Sequence, residues 1–369
     1  MAKHSQTRFD ARTTSWGLFV AGRGSGLGDG LHRLVHNESG WQDSHLDTVT
    51  ELSTLASHPF LPVLYGVSGV GNNGWIHAWD ISGDRAVALN VVKSKGAEPC
   101  HLALDPSGRL LVVTNYTSST LAVQKIAADG SFLGEPYLIH LTGNSVEIER
   151  QHEAHPHQAV FDGDRLYVTD LGADLLREFH FDPNGQGPNT LLPVRNTPLP
   201  AGSGPRHMVV LPDGRVALSG ELGSTLITGR PGGDAETWSL IPSTARSGAA
   251  KTRHARNYPG DIQASADGRL VYIANRGYDT IATFLVVDEK PRFISEIDAG
   301  VAWPQHLLVR GENLLVAGCD SSQVVTIPLF DGVPSEPTVL FDCPGACWLL
   351  PDTAMHVADP HQQGHSNLA

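Results

Sequence analysis

The sequence has little charge, few cysteines and no long hydrophobic run. Charged residues make up 18% of its 369 positions. No stretch longer than about ten residues combines helical periodicity with caps at both ends, which disfavours a fold of long surface helices. No apolar run approaches the roughly 20 residues that a membrane helix needs, so the sequence predicts no membrane partner.

The four cysteines are Cys100, Cys319, Cys343 and Cys347, and they contain no Cys-x-x-Cys pair. Four cysteines are too few for a disulfide scaffold in a chain of this size, and reduced thiols are typical of the cytoplasm. The first residues, MAKHSQTRFDARTT, lack the apolar core of a signal peptide. We therefore expect a cytoplasmic protein.

The net charge of −13 excludes another class of partner. An acidic surface repels polyanions, so neither a nucleic acid nor an anionic membrane surface is expected to bind. A few local arginines can override a weak global field, and a small anionic substrate stays open. The sequence does not indicate an oligomeric state.

Glycine and proline are abundant, with 39 and 24 copies, as expected for short strands joined by tight turns. One unit recurs: a proline and usually a histidine, a short alternating run, a turn, and an apolar strand that ends in a polar residue. Counted from positions 101, 157, 207, 261 and 306, the strand end follows 13 or 14 residues later. The five copies are PCHLALDPSGRLLVVTN (99–115), PHQAVFDGDRLYVTD (156–170), PRHMVVLPDGRVALSGE (205–221), PGDIQASADGRLVYIAN (259–275) and PQHLLVRGENLLVAGC (304–319).

Two further apolar strands, in SWGLFVAG (15–22) and HPFLPVLYGVSG (58–69), bring the number of units to seven. The strand centres are 43 to 55 residues apart, a period typical of β-propeller blades. The pattern predicts an all-β, seven-bladed β-propeller, with 341–350 lying beside 15–22 to close the ring. A two-domain β-sandwich would not produce one motif at fixed internal offsets.

The domain prediction is a single propeller over residues 1–369, with flexible termini at 1–13 and 358–369. In each unit the turn joins two antiparallel strands as a hairpin, so polar residues at both strand ends emerge at one end of the blade. If the first strand is innermost, these residues ring the channel mouth, the default place for an active site. The predicted neighbours are His101 with Asn115, His157 with Asp170, His207 with Glu221, and Asp261 with Asn275 and Arg276.

Three stretches carry a resemblance to a known family: 155–176, 202–225 and 265–284. They resemble the lactonase family of seven-bladed propellers, which includes the propeller type of 6-phosphogluconolactonase and the fungal 3-carboxy-cis,cis-muconate lactonizing enzyme. The resemblance covers about residues 50 to 330. This family often has Pro-Arg where the chain has Pro304-Gln305, and the first blade is unusually rich in glycine. The resemblance implies a catalytic site made of His157, Arg206, Glu221 and Arg276.

Each of these residues also has a structural interpretation. His157 suits a general base, since an ordinary histidine is largely neutral near pH 7, but it could merely cap a turn. Arg206 and Arg276 suit a carboxylate or phosphate, or a salt bridge to Glu221 or Asp261. Glu221 could accept a proton, although positioning an arginine is the favoured role.

The remaining candidates have weaker signals. The expected substrate-binding residues are His155, His207, Asn275 and Asp170, of which Asp170 and nearby Asp174 also suit a turn. His157 is expected to occupy the same position in its repeat as His101, His207 and His306. Of these, His101 and His306 are expected to be scaffold.

No metal and no cofactor are expected. His152, His155 and His157 would supply ligands from a single loop with no fourth partner. Cys343 and Cys347 suit a turn at ring closure rather than zinc. GRGSGLGDG (22–30) lacks the ending of a phosphate-binding loop and precedes no helical pattern.

Three functions remain open. The first is hydrolysis of a sugar-acid lactone, with 6-phosphoglucono-1,5-lactone implied by the resemblance. The second is cycloisomerisation of 3-carboxy-cis,cis-muconate by the same residues. The third is a non-catalytic propeller that presents its face to a protein partner, and it predicts exposed apolar residues across the channel mouth.

Overall fold

The computed structural model describes residues 16–352 apart from positions 25, 27, 28, 39, 186 and 246–254. The predicted flexible termini, 1–13 and 358–369, lie outside this described part of the chain. Within it, no helix has the length and apolar character needed to cross a membrane.

The strands are numbered in chain order. The first seven are β1 (Trp16–Gly22), β2 (Gly30–Asn37), β3 (Gly40–Thr48), β4 (Leu52–Ser57), β5 (Val63–Val70), β6 (Asn73–Asp80) and β7 (Val87–Lys93). The next eight are β8 (Pro99–Leu104), β9 (Leu110–Asn115), β10 (Thr120–Ile126), β11 (Phe132–His140), β12 (Pro156–Asp162), β13 (Arg165–Asp170), β14 (Leu175–Phe181) and β15 (Leu191–Pro198).

The remaining strands complete the second half of the chain. Strands β16 to β22 are β16 (Pro205–Val210), β17 (Val216–Gly220), β18 (Thr225–Gly229), β19 (Ser239–Pro242), β20 (Tyr258–Ala264), β21 (Leu270–Arg276) and β22 (Thr280–Leu285). Strands β23 to β29 are β23 (Arg292–Asp298), β24 (Pro304–Arg310), β25 (Asn313–Gly318), β26 (Gln323–Phe330), β27 (Val333–Pro334), β28 (Thr338–Asp342) and β29 (Ala346–Pro351). Two short 3-10 helices span Gly187–Thr190 and Ala235–Thr237.

These strands form seven antiparallel sheets, which confirms the seven-bladed propeller. Blade 1 has the strand order β29-β1-β2-β3, and blades 2 to 6 each contain four consecutive strands, from β4–β7 to β20–β23. Blade 7 contains β24 to β28. The innermost strands β4, β8, β12, β16, β20, β24 and β29 contact one another in sequence round the channel.

Ring closure follows the sequence prediction. Strand β29 pairs antiparallel with β1, and Leu349 lies opposite Val20. The last strand of the chain thus becomes the inner strand of the first blade. The core lies between adjacent blades in seven apolar clusters, one of which joins Leu349 and Val20 to Leu315 of blade 7.

The inner hairpins contain a β-bulge, so the pairing of their two strands differs from the predicted one. Pro99 pairs with Asn115 and His101 with Thr114, so Cys100 is the extra residue. Equivalent bulges follow the first proline of β12, β16, β20 and β24. In blades 3, 4 and 6 the polar strand end therefore lies opposite the proline, while Gly220 and Gly318 have that place in blades 5 and 7. Proline has no N–H for the ladder, and a bulge lets the strand skip that bond.

The strand pairing shows that the predicted phase of His157 was wrong by one residue, because Gln158 and not His157 is equivalent to His101. His157 directly follows Pro156, as Arg206 follows Pro205, whereas His207 is one residue further along. We call the residue after the proline the second position and the next residue the third position. The second positions are Cys100, His157, Arg206, Gly260 and Gln305; the third positions are His101, Gln158, His207, Asp261 and His306.

Candidate active site

In blades 4 to 7 the third-position side chain bonds its inner strand to the next blade. The Gln158 side-chain oxygen accepts the Met208 backbone N–H at 2.6 Å. The Asp261 carboxylate accepts the Leu307 N–H at 2.9 Å, and His306 Nδ1 accepts the Leu349 N–H at 3.2 Å. These bonds satisfy buried backbone donors at blade interfaces. The expectation that His306 is scaffold therefore has a physical basis in this bond.

His207 is held in the same layer. Its Nδ1–H donates to Asp261 Oδ1 at 2.8 Å, and its ring lies 5.8 Å from that of His101. Burial and Arg206 lower the pKa of His207 to about 4, so its imidazole is neutral near pH 7. Trp348 of β29 packs on His306 with 3.8 Å between ring centroids. The structure thus places His207 inside the channel, with one ring nitrogen committed to Asp261.

Second-position residues of blades 4 and 5 are positioned by hydroxyl groups of the preceding blade. Thr114 Oγ1 donates to the His157 carbonyl at 3.0 Å. Thr169 Oγ1 donates in the same way to the Arg206 carbonyl at 2.6 Å. Because bulges redirect the side chains of the bulged residues, this backbone arrangement sets where His157 and Arg206 point.

Three arginines from separate segments surround Glu221. Arg276 Nη2 donates to Glu221 Oε2 at 2.6 Å, and Arg150 Nη2 donates to Oε1 at 2.9 Å. Arg206 Nε lies 3.2 Å from Oε2, but without hydrogen-bond geometry. Glu221 and Asp261 were the two predicted salt-bridge partners of Arg206 and Arg276. Both arginines contact Glu221, whereas Asp261 contacts His207. Sequence-distant segments therefore converge on one carboxylate.

This cluster is buried and strongly polarised. Burial alone would raise the pKa of Glu221, but Arg276, Arg206 and Arg150 together lower it to about 2. Burial and the neighbouring Arg276 lower the pKa of Arg206 to about 9, which still leaves it charged at neutral pH. A carboxylate with such a low pKa is a poor base near pH 7, which favours the positioning role for Glu221.

Arg206 has unused hydrogen-bonding capacity. Its side chain is 5% exposed, and its Nε and Nη1 are buried without a hydrogen-bond partner among the described residues. Unpaired buried donors are costly, and charged donors more so. By contrast, Arg276 also donates to the Tyr258 carbonyl at 3.1 Å and to Gln305 at 3.3 Å, with Trp303 beneath its guanidinium.

His157 lies beside this cluster. It is 8% exposed, its ring centroid is 5.1 Å from that of His207, and its Nδ1 has no hydrogen-bond partner in the described part of the chain. Burial, Arg206 and His207 hold the pKa of His157 well below its ordinary value. The imidazole is therefore neutral near pH 7.

His155 and Tyr116 form one wall of the site. Their rings stack with centroids 4.5 Å apart, and the His155 Nδ1–H donates to the Tyr116 carbonyl at 3.0 Å. The Tyr116 hydroxyl accepts from Arg150 Nη2 at 3.1 Å. The predicted position of His155 at the edge of the site agrees with these contacts.

Asp170 and Asn275 are not brought into the cluster. Asp170 is fully buried, and its carboxylate accepts from the His155 N–H and the Arg177 guanidinium at 2.8 Å each. The Asn275 amide donates to the Ser243 carbonyl, and its oxygen accepts from Asn257. Both residues hold loops at the blade ends, and Asp174 likewise binds the Gly202 and Gly204 N–H groups.

Arg150 and Tyr116 are the site residues that the sequence analysis missed. Both lie in loops outside the repeated unit, after β9 and before β12, where the repeat gives no register. The signal that could have found Arg150 is an arginine two residues before the histidine-rich stretch at 152–157.

Among the other sequence features, Cys100 lies against this cluster, since its Sγ is 3.2 Å from the His157 carbonyl. The four cysteines are free thiols, and Cys347 Sγ lies 3.3 Å from the carbonyls of Ala21 and Leu52 across the ring closure. The Ala346 N–H donates to the Cys343 carbonyl at 3.2 Å, as in the predicted turn. In the glycine-rich stretch at 22–30, positions 25, 27 and 28 are outside the described residues.

Comparisons with known proteins identify the family of the chain. The model of the family described as "Lactonase, 7-bladed beta-propeller" matches residues 18–334. A 6-phosphogluconolactonase of Bacillus subtilis is 28% identical over 267 residues, which cover 69% of this chain and 73% of the relative. A 6-phosphogluconolactonase of Formosa agariphila is 27% identical over 271 residues, covering 70% and 75%.

A solved structure gives the same fold. The periplasmic gluconolactonase of Pseudomonas aeruginosa superimposes with a TM-score of 0.77 at 22% identity, covering 92% of this chain and 99% of that one. At this identity the likeness concerns the fold alone.

Proposed function

The chain belongs to the lactonase family of seven-bladed β-propellers, and on that premise we propose that it hydrolyses a small anionic sugar-acid lactone. The relatives named 6-phosphogluconolactonase make 6-phosphoglucono-1,5-lactone the favoured substrate. The observation that carries the proposal is the buried Arg206 guanidinium, whose Nη1 has no hydrogen-bond partner among the described residues and which lies close to neutral His157.

In the proposed reaction, His157 accepts a proton from a water molecule as the water oxygen attacks the lactone carbonyl. The carbonyl oxygen becomes an oxyanion, and the free donors of Arg206 stabilise it. The ring oxygen then leaves and takes the proton from His157. The product is the open acid, and His157 returns to its neutral form.

The remaining residues are proposed to position the reacting groups. Glu221 holds the Arg276 and Arg150 guanidiniums through its two oxygens and contacts Arg206. Arg150 has a half-exposed side chain, 41% accessible, so it is the arginine best placed to contact an anionic group at the solvent end of the site. His207, whose ring contacts that of His157, is proposed to position His157 rather than to bind substrate directly.

The test is acid release at constant pH from 6-phosphoglucono-1,5-lactone, corrected for spontaneous hydrolysis. The proposal expects acceleration by the wild-type chain and its loss in Arg206→Gln and His157→Gln. No acceleration by the wild type contradicts lactone hydrolysis. If both variants hydrolyse the lactone as fast as the wild type, the proposed activity stands but the proposed site is contradicted.

We also infer a cytoplasmic location, since all four cysteines are free thiols. The Pseudomonas aeruginosa structure is described as periplasmic, so the fold itself does not decide this. Fractionation of the native host, with the chain recovered among the cytoplasmic proteins, is the expected result.

A further inference from the structure

We propose that His152, Glu153 and His155 form a binding site for one divalent cation of the Zn²⁺ type at the edge of the candidate active site. One possible ligand atom from each residue lies within 4.8 Å of the other two. From the sequence, His157 was the third possible ligand of this loop. In the structure Glu153 takes its place, which adds the negative charge that a three-histidine set lacks.

His155 is the preorganised ligand. It is 5% exposed, it stacks on Tyr116, and its Nδ1–H donates to the Tyr116 carbonyl at 3.0 Å. That bond fixes the ring tautomer and leaves Nε2 as the nitrogen for a metal. Histidines that bind metals almost always donate their other ring N–H to a carbonyl or carboxylate in this way.

His152 and Glu153 are the adjustable ligands. His152 Nε2 lies 3.3 Å from Glu153 Oε1. Two ligand atoms at about 2.0–2.1 Å from a tetrahedral zinc ion are roughly 3.3 Å apart, so this pair already has the required spacing. Their side chains are 58% and 48% exposed, which leaves them free to close the remaining distance to His155. Three protein ligands leave a position for water or an anion.

The ligand chemistry selects the class of cation. Two imidazoles and one carboxylate suit Zn²⁺, Co²⁺ or Ni²⁺, whereas Mg²⁺ and Ca²⁺ prefer oxygen ligands only. The nearest arginine in the sequence, Arg150, already has Glu221 as a counter-charge at 2.9 Å. Its repulsion of a cation is thereby reduced, and Glu153 supplies a further negative charge.

The test is calorimetric titration of the metal-stripped, tag-free full chain with Zn²⁺. The variants His152→Ala and Glu153→Gln remove exposed ligands and should leave the fold intact. His180→Ala is the matched control, because His180 forms a similar exposed pair with Asp164 at 3.4 Å, with no third ligand in the described part of the chain. Absorption by bound Co²⁺ gives a second readout that is independent of lactone hydrolysis.

The wild type and His180→Ala are expected to bind one equivalent at this site with equal affinity. His152→Ala and Glu153→Gln should each bind it at least about tenfold more weakly, since even loss of a second-shell partner costs roughly 10–100-fold. The visible bands of tetrahedral Co²⁺ should disappear with them. Absence of binding to the wild type, or equal binding by all four proteins, overturns the proposal.

Discussion

Replacing Glu221 with glutamine tests how the arginine cluster is held. The substitution keeps the side-chain size but removes the only carboxylate that contacts Arg206, Arg276 and Arg150 together among the described residues. The pKa of Glu221 falls from an ordinary 4.5 to about 2. At roughly 1.36 kcal/mol per pH unit, its charge contributes about 3 kcal/mol to the free energy of unfolding near pH 7.

The stabilisation by the Glu221 charge depends on pH in a defined direction. Because the folded-state pKa is lowered, this stabilisation is complete above the ordinary pKa and is lost as the pH falls from about 4.5 towards 2. Urea unfolding should therefore show Glu221→Gln about 3 kcal/mol less stable than the wild type at pH 7. At pH 3 the gap should narrow to roughly 1 kcal/mol.

Glu178→Gln is the matched control. Glu178 is also buried, and Arg165 and Arg195 each contact it at 2.7 Å, but these contacts lie outside the candidate site. Its loss should destabilise the protein while lactone hydrolysis continues, whereas Glu221→Gln should impair both. A stability gap between wild type and Glu221→Gln that stays constant from pH 7 to pH 3 would refute the electrostatic reasoning.

Three further predictions follow from the same geometry. His157→Gln should lower kcat for lactone hydrolysis by about 10²–10⁴-fold, measured by acid release, while His101→Gln in the third position should retain most of it; equal losses would contradict the distinction between the two positions. Arg150→Ala should raise KM about tenfold or more with a smaller change in kcat, and an unchanged KM would remove Arg150 from substrate binding. Leu349→Ala should cost about 2–5 kcal/mol in urea unfolding, because Leu349 is 1% exposed at ring closure; a cost below about 1 kcal/mol would mean that β29 contributes little.

The sequence was informative where the fold repeats. Seven apolar strands at a regular period predict seven blades, and the pairing of Leu349 with Val20 confirms the predicted closure. A repeat reports backbone architecture because every blade must bury the same faces against its neighbours.

The sequence was less informative about which side chain faces the channel. His157 directly follows its proline and is therefore in phase with Arg206 instead of His207. Counting back from the strand end did not show this, because the hairpin turn between β12 and β13 is shorter than the turn between β8 and β9. Asp170 and Asn275 were expected beside the substrate, but buried loop backbone groups and Arg177 take up their hydrogen-bonding capacity. Arg150 comes from a loop without any repeat register.

The bulge also explains how one repeated motif serves two purposes. Third-position residues such as Gln158 and Asp261 bond to the next blade, so similar residues recur there for structural reasons. At the second position, His157 and Arg206 lie in the cluster with Glu221, and the residue type varies from blade to blade. Residues of the candidate site are therefore indicated by the second position, where the residue type varies within an otherwise regular unit.

The most direct test of the proposed lactonase site is a crystal structure of the chain with its expected product, 6-phosphogluconate. We expect an anionic or hydroxyl oxygen of the product within hydrogen-bond distance of Arg206 Nη1, with the carboxyl carbon beside His157. Product bound elsewhere on the propeller, with Arg206 Nη1 still lacking a partner, would contradict the proposed site.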